Sequence, residues 1–132
     1  MLVDRLGREN YADQYFGACA DTAGHVLHVL RVPGGDFDAA AARAAARPGV
    51  ELRIAFVDAV GSRKALVTLQ TRIEAEAESY WRSRGVEIAR VSVNNDGSGL
   101  RVDTAQAATA RDQLVARYGP QVSEVVGVVP RH

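Results

Sequence analysis

The chain carries one short succession of elements twice, and no other feature restricts its fold as much. Residues Tyr15–Asp58 read as strand, turn, strand, alanine-rich helix, strand. Residues Val86–Pro130 read the same way. Asp21-Thr22-Ala23-Gly24 opens the first turn, and Asn94-Asn95-Asp96-Gly97-Ser98-Gly99 opens the second. Both are rich in the Asn, Asp and Gly residues that tight hairpins need. A serine at position 62 caps a longer helix, which runs to Gly85 and joins the two units. The expected architecture is α+β. It comprises an N-terminal arm or short helix over residues 1–14 and one domain over 15–132, built from repeat one (15–58), a linking helix (62–85) and repeat two (86–130). Helices pack on antiparallel-rich sheet.

The local patterns supply the detail. His25–Val32 is apolar on both faces and reads as a central strand. Asp36 is placed to cap a helix from Phe37 to about Arg47, almost wholly alanine, that Pro48-Gly49 ends. Val50, Leu52, Ile54 and Phe56 alternate with Glu51 and Arg53, the pattern of a half-buried strand. In the linking helix, Leu66, Leu69, Ile73, Ala77 and Tyr80 share one face. The strand Val86–Val93 slips phase between Ile88 and Val91, which predicts a bulge. Asp103 or Thr104 caps a helix reaching Tyr118, with Ala107, Ala110 or Arg111, Leu114 and Tyr118 on one face at helical spacing. Val122–Val129 is apolar on both faces and is expected to be internal.

Composition narrows the function classes. Sixteen basic and sixteen acidic side chains cancel, so no net field favours a polyanion, and nucleic acid is not an expected partner. Cys19 is the single cysteine, which leaves the core to stabilise the fold. No run approaches the ~18 apolar residues that a bilayer span needs, so membrane insertion is not expected. Asp4, Arg5, Arg8 and Glu9 make the first ten residues unlike a signal peptide. A cytoplasmic location follows if Met1 is the natural start, and a secreted or envelope location if a targeting segment was trimmed.

No catalytic constellation stands out, and no metal or cofactor is expected. His25 and His28, three apart on a strand, point to opposite faces and cannot share a metal. The Asn94–Gly99 loop lacks the carboxylate spacing of a calcium loop. Pro33-Gly34-Gly35 lacks the residues of a phosphate-binding loop. Cys19 with His25 across the hairpin is the one place for a small pocket with chemistry. A small-molecule sensor or minor enzyme built there is the alternative reading. The distinctive cluster is Tyr80-Trp81-Arg82-Ser83-Arg84-Gly85. An amphipathic ring beside Arg82 and Arg84 is the kind of anchor that holds a protein partner or a carboxylate. The candidate binding residues are therefore Tyr80, Trp81, Arg82 and Arg84. The first reading is a non-catalytic module that binds a protein through these residues or through a sheet edge, or that associates with itself.

Several of these features, taken together, resemble a known family. Tyr15–Ala20 leading to Asp21 and Gly24, the strand His25–Val32, the Ser62–Gly85 helix, and Gly99–Asp103 with the helix ending at Tyr118-Gly119 resemble the propeptides of secreted bacterial trypsin-like serine proteases, the streptogrisin and α-lytic protease type. The phrases Tyr80–Gly85, Asp96–Gly99 and Arg117–Gly119 are similar to those of actinobacterial proteins of unknown function. No protease follows and no signal precedes the matching part, so the folding role of such propeptides is not expected to carry over. The resemblance implies a module that presents a β-sheet surface to another protein, at the cell envelope.

Overall fold

The computed structural model describes residues 2–21, 23–46 and 53–129. The fold is α+β, with two three-stranded mixed sheets. The chain divides into two compact units, Met1–Ala65 and Leu66–His132.

In the first unit, helix α1 (Leu2–Asn10) is followed by strands β1 (Tyr15–Asp21) and β2 (Val26–Arg31), helix α2 (Phe37–Ala45) and strand β3 (Arg53–Asp58). The sheet order is β1-β2-β3. β2 is central, as its two-sided apolar pattern predicts, and pairs antiparallel with β1 and parallel with β3. Of the arm or short helix expected at residues 1–14, Leu2–Asn10 is helix. Val3 of α1 joins Tyr15, Leu27, Val29, Phe37 and Ala41 in the buried core. Gly7 lets α1 lie directly on the Tyr15 ring, because a Cβ there would overlap it. Ile54 and Phe56 pack against the same core, as their alternation predicts. The expected positions Arg47, Pro48, Gly49, Val50, Glu51 and Leu52 lie outside the described residues.

The cap of α2 differs from expectation. The Asp36 side chain makes no cap hydrogen bond. Instead the Phe37 N–H donates to Gln14 Oε1 at 3.0 Å, and Gln14 Nε2 donates to Asp36 Oδ1 at 2.8 Å. An amide from the segment before β1 therefore satisfies one orphan donor of the helix. Gly35 makes room for that amide, since a Cβ there would overlap Gln14. Arg31 ends β2, 8% exposed. Its Nε and Nη2 donate to the two Asp38 oxygens at 2.8 and 2.9 Å, and its Nη1 to Asp58 at 2.6 Å. One guanidinium thus ties the central strand to α2 and to the end of β3.

Helix α3 (Arg63–Glu76), whose first three residues close the first unit, leads in the second unit through a π-helical turn (Ala77–Trp81) and a 3-10 turn (Arg82–Arg84) to strands β4 (Ile88–Val93) and β5 (Leu100–Thr104), helix α4 (Ala107–Tyr118) and strand β6 (Val122–Gly127). Ser62 caps α3 as expected, its Oγ accepting the Ala65 N–H at 3.1 Å. Gly85, at φ 76°, closes the helical run. The sheet order is β4-β5-β6, antiparallel then parallel. Each sheet therefore holds one antiparallel and one parallel pairing, a more even balance than the antiparallel-rich sheet expected. The short hairpin turns set the first pairing, and the helical crossovers set the second.

The bulge expected in β4 lies between Ile88 and Arg90, and β1 has one between Tyr15 and Gly17. Ala110, Leu114 and Tyr118 are buried on α4, as their spacing predicts. Two expectations are corrected here. β6 is a terminal strand rather than an internal one; its Ser123 and Glu124 are exposed. Thr104 does not cap α4 but ends β5, its hydroxyl donating to the Glu87 carbonyl at 2.7 Å while it accepts the Gln106 N–H at 3.3 Å. The hairpin turn forms as read: the Asn94 N–H donates to the Gly99 carbonyl at 2.9 Å, and the Ser98 N–H to Asp96 Oδ1 at 3.0 Å. Those Ser98 hydrogen bonds hold the Asp96 carboxyl below its usual range.

Candidate functional site

The π-helical turn decides where the distinctive aromatic residues go. In a regular helix at ~100° per residue, a position about seven residues after Ile73 returns to the same face. That position is Tyr80, which is why the sequence pattern assigns Tyr80 to the buried stripe. A π turn inserts one extra residue and advances the buried position by one. Trp81 consequently lies inside, 1% exposed, while Tyr80 is half-buried at the surface. Trp81, a candidate anchor by sequence, is a core ring and not itself a surface contact.

Around that indole, one polar network joins α3 to α4. The Trp81 indole N–H donates to the Tyr118 hydroxyl at 2.7 Å. That hydroxyl donates to Glu76 Oε1 at 2.6 Å. Arg117 closes on the same carboxylate with Nε at 3.1 Å and Nη2 at 2.8 Å, and Arg72 stands 3.6 Å from it. The bidentate fork gives direction as well as charge. The hydrogen bonds from Arg117 and then Tyr118 lower the Glu76 pKa from 4.5 to about 2. Burial, and then the bond to Glu76, push the Tyr118 hydroxyl up. The same carboxylate holds Arg117 firmly charged.

Outside this network, Tyr80 is clamped. The Arg84 guanidinium carbon sits 3.6 Å from the Tyr80 ring centre and that of Arg117 3.5 Å. Two guanidinium groups that close to one ring centre leave room only for one on each face. Arg84 Nη1 also donates to the Tyr80 carbonyl at 3.1 Å. Cation–π stacking of this kind fixes the plane of each head group.

Of the four candidates, the structure brings Tyr80 and Arg84 together and adds Arg117, which sequence reasoning missed. Its signal was present in Arg117-Tyr118 at the end of α4, but a pairing 41 residues distant with Glu76 is invisible to local patterns. Arg82 turns elsewhere, pairing with Glu78 at 2.7 Å. With Glu78, Glu87, Arg90 and Asp103 it lines an open hollow of about 880 Å³.

The other candidate place is rearranged. Cys19 is exposed on β1, and the residue opposite it in the ladder is His28, not His25. His25 sits in the β1–β2 turn at φ 52°. Neither Cys19 nor His25 lines the Arg82 hollow or the one formed by Tyr15, Phe16, Gly17 and Ala18. Among the described residues, no group of three His, Cys, Asp or Glu side chains could hold a metal ion, and no helix is long and apolar enough to cross a membrane. No protein-family model, curated protein or solved structure matches this chain.

Proposed function

We propose that the chain is a non-catalytic module that binds a protein partner, using the surface formed by Tyr80, Arg84 and Arg117 with Arg82 beside them in sequence. The observation that supports this reading is the clamp on Tyr80. An aromatic ring stacked between two guanidinium groups is rigid before any partner arrives, so little side-chain entropy is lost on association. Tyr and Arg are also the residue types that dominate the energetics of protein interfaces. Trp81 contributes from beneath, by fixing the helical turn that projects Tyr80. The likeness to protease propeptides belongs to the same proposal, since it too implies a module that offers a surface to another protein.

The experiment compares partner capture by the wild type with Tyr80→Ala and Arg84→Ala, using immobilised protein and quantitative mass spectrometry of bound proteins. Both variants are expected to keep the wild-type far-ultraviolet circular dichroism spectrum, because the buried Trp81–Tyr118–Glu76 hydrogen bonds are untouched. A partner whose recovery falls at least tenfold in both variants supports the reading. An unchanged set of bound proteins overturns it.

A further inference from the structure

We propose that the hollow bordered by α1, the start of β1 and the first residues of α3 binds a carboxylate carried on a short apolar body. It lies within the first unit. It has a volume of about 360 Å³, and its lining includes Asp4, Arg8, Phe16, Gly17, Ala18 and Arg63. That volume is at the small end of ligand sites, enough for a short branched acid or for the last residue of a peptide.

One positive charge is left over in it. Arg8 Nη2 meets Asp4 Oδ2 at 2.6 Å, and the Tyr15 hydroxyl donates to Asp4 Oδ1 at 2.6 Å. Asp4 and Arg8 therefore neutralise one another. Lys64, also in the lining, is already engaged: it pairs with Asp13 at 3.5 Å and takes part in a further interaction. Arg63 alone has no carboxylate among the described residues within ion-pairing distance. The hollow thus calls for a single negative charge.

Arg63 is oriented to receive it. Its Nε donates to the Phe16 carbonyl at 3.1 Å, and its guanidinium carbon lies 4.4 Å from the centre of the Phe16 ring. A hydrogen bond at Nε and a ring against its face fix the head group before a ligand arrives. Among the described residues its two Nη groups have no partner. Arg31, in the same unit, has Nε and both Nη groups on carboxylates; Arg63 is held in place too, and lacks the anion. A planar carboxylate fits a guanidinium fork with two parallel bonds, here through Nη1 and Nη2. Gly17 and Ala18 bring no polar side chain to the lining, and a Cβ placed at Gly17 would meet nothing within 4 Å. That open, nonpolar stretch takes the body of the ligand. These residues are other than those of the Tyr80 surface, so failure here leaves that proposal standing.

The test titrates the full chain with isovalerate at neutral pH and constant ionic strength, followed by amide NMR. Saturable shifts are expected at Phe16, Gly17, Ala18 and Arg63. Isovaleramide, the same body without the charge, should bind about tenfold more weakly or worse, as should isovalerate to Arg63→Gln. Arg63→Lys keeps the charge but loses the fork, and should weaken binding about threefold or more. Gly17→Leu adds a side chain into open space; it should fold and, by filling the hollow, weaken binding about threefold or more. If Arg63→Gln does not fold, Gly17→Leu carries the test. A short peptide ending in valine separates the sources. Tighter binding than isovalerate, lost when its terminus is amidated, assigns the site to a peptide C-terminus; equal or weaker binding assigns it to a free acid. Shifts that do not saturate, equal affinity for isovaleramide, or unchanged affinity in the folded variants would overturn the assignment.

Discussion

The Trp81 indole nitrogen and the Tyr118 hydroxyl oxygen lie 2.7 Å apart, and this bond lets an otherwise costly polar atom sit within a core. Trp81 is 1% exposed, so an unpaired indole N–H would carry its full desolvation penalty. The tyrosine hydroxyl accepts from the indole and passes its own hydrogen to Glu76. Trp81→Phe should therefore cost about 1–2 kcal/mol, from a lost hydrogen bond and a small void. Trp81→Ala should cost about 3–5 kcal/mol. Urea unfolding followed by circular dichroism measures both. Equal stability of Trp81→Phe and wild type would mean that the bond contributes nothing.

Acid should weaken the second unit through Glu76. Its pKa is about 2 in the folded chain against 4.5 ordinarily, so the folded state holds the ionised form. The stabilisation is complete above pH 4.5 and is lost as pH falls from 4.5 through 2. The loss should be about 1–2 kcal/mol, discounted for a partly exposed carboxylate. Glu76→Gln should be less stable at pH 7 and show a flatter acid limb. The check is a series of urea midpoints from pH 7 to pH 2.5; parallel curves for the two proteins would contradict it.

The cap on α2 should reveal itself through coupling. Gln14→Ala removes the acceptor of the Phe37 N–H and should cost about 1 kcal/mol. Gly35→Ala pushes a methyl group into the Gln14 amide and should cost about 1–2 kcal/mol. In the double variant the overlap disappears, so the combined loss should be smaller than the sum. Strictly additive losses would show that Gln14 and Gly35 do not meet.

The π turn makes a prediction that a regular helix would not. Deleting Ser79 removes the extra residue and brings Trp81 into phase with Ile73 in an ordinary α-helix. The shortened chain should fold, with the Trp81 fluorescence of a buried indole. Tyr80, still immediately before Trp81, should stay at the surface about 100° around the helix from the buried face. An exposed indole in the deletion would show that the phase argument fails.

Arg31 should behave as a tie rather than a surface charge. Arg31→Ala should cost about 2–3 kcal/mol, because a buried guanidinium with two carboxylate partners is removed from the centre of a sheet. Asp58→Asn should cost under ~1 kcal/mol, as its side chain is mostly exposed. Thermal unfolding of the two variants side by side distinguishes them.

The sequence carried most of the strand and helix pattern because that pattern is local. The Ser62 cap, the Asn94–Gly99 turn, the central β2 and the Ile88 bulge each follow from a few neighbouring residues. What escaped depended on distance. Gln14 caps a helix more than twenty residues further on, and neither end of that bond advertises the other. Tyr80 and Trp81 exchanged places because a periodicity count assumes a constant turn, and one extra residue shifts every later position. β6 read as internal because Val122, Val125 and Val126 are apolar, but Ser123 and Glu124 between them face out. The pairing of Arg117 with Glu76, and with it the clamp on Tyr80, rests on the meeting of two helices that no local pattern records.

Irregularities in the ladders bear on how the protein tolerates crowding at high concentration. β1, β4 and β6 each break register once against their neighbours, and among the described residues only the β2–β3 ladder runs without a shift. A fibril grows by laying one straight strand on another, and a kinked rim is a poor template for it. Amyloid-like growth from the folded chain would accordingly have to start along Arg53–Asp58, where charged residues stand at both ends.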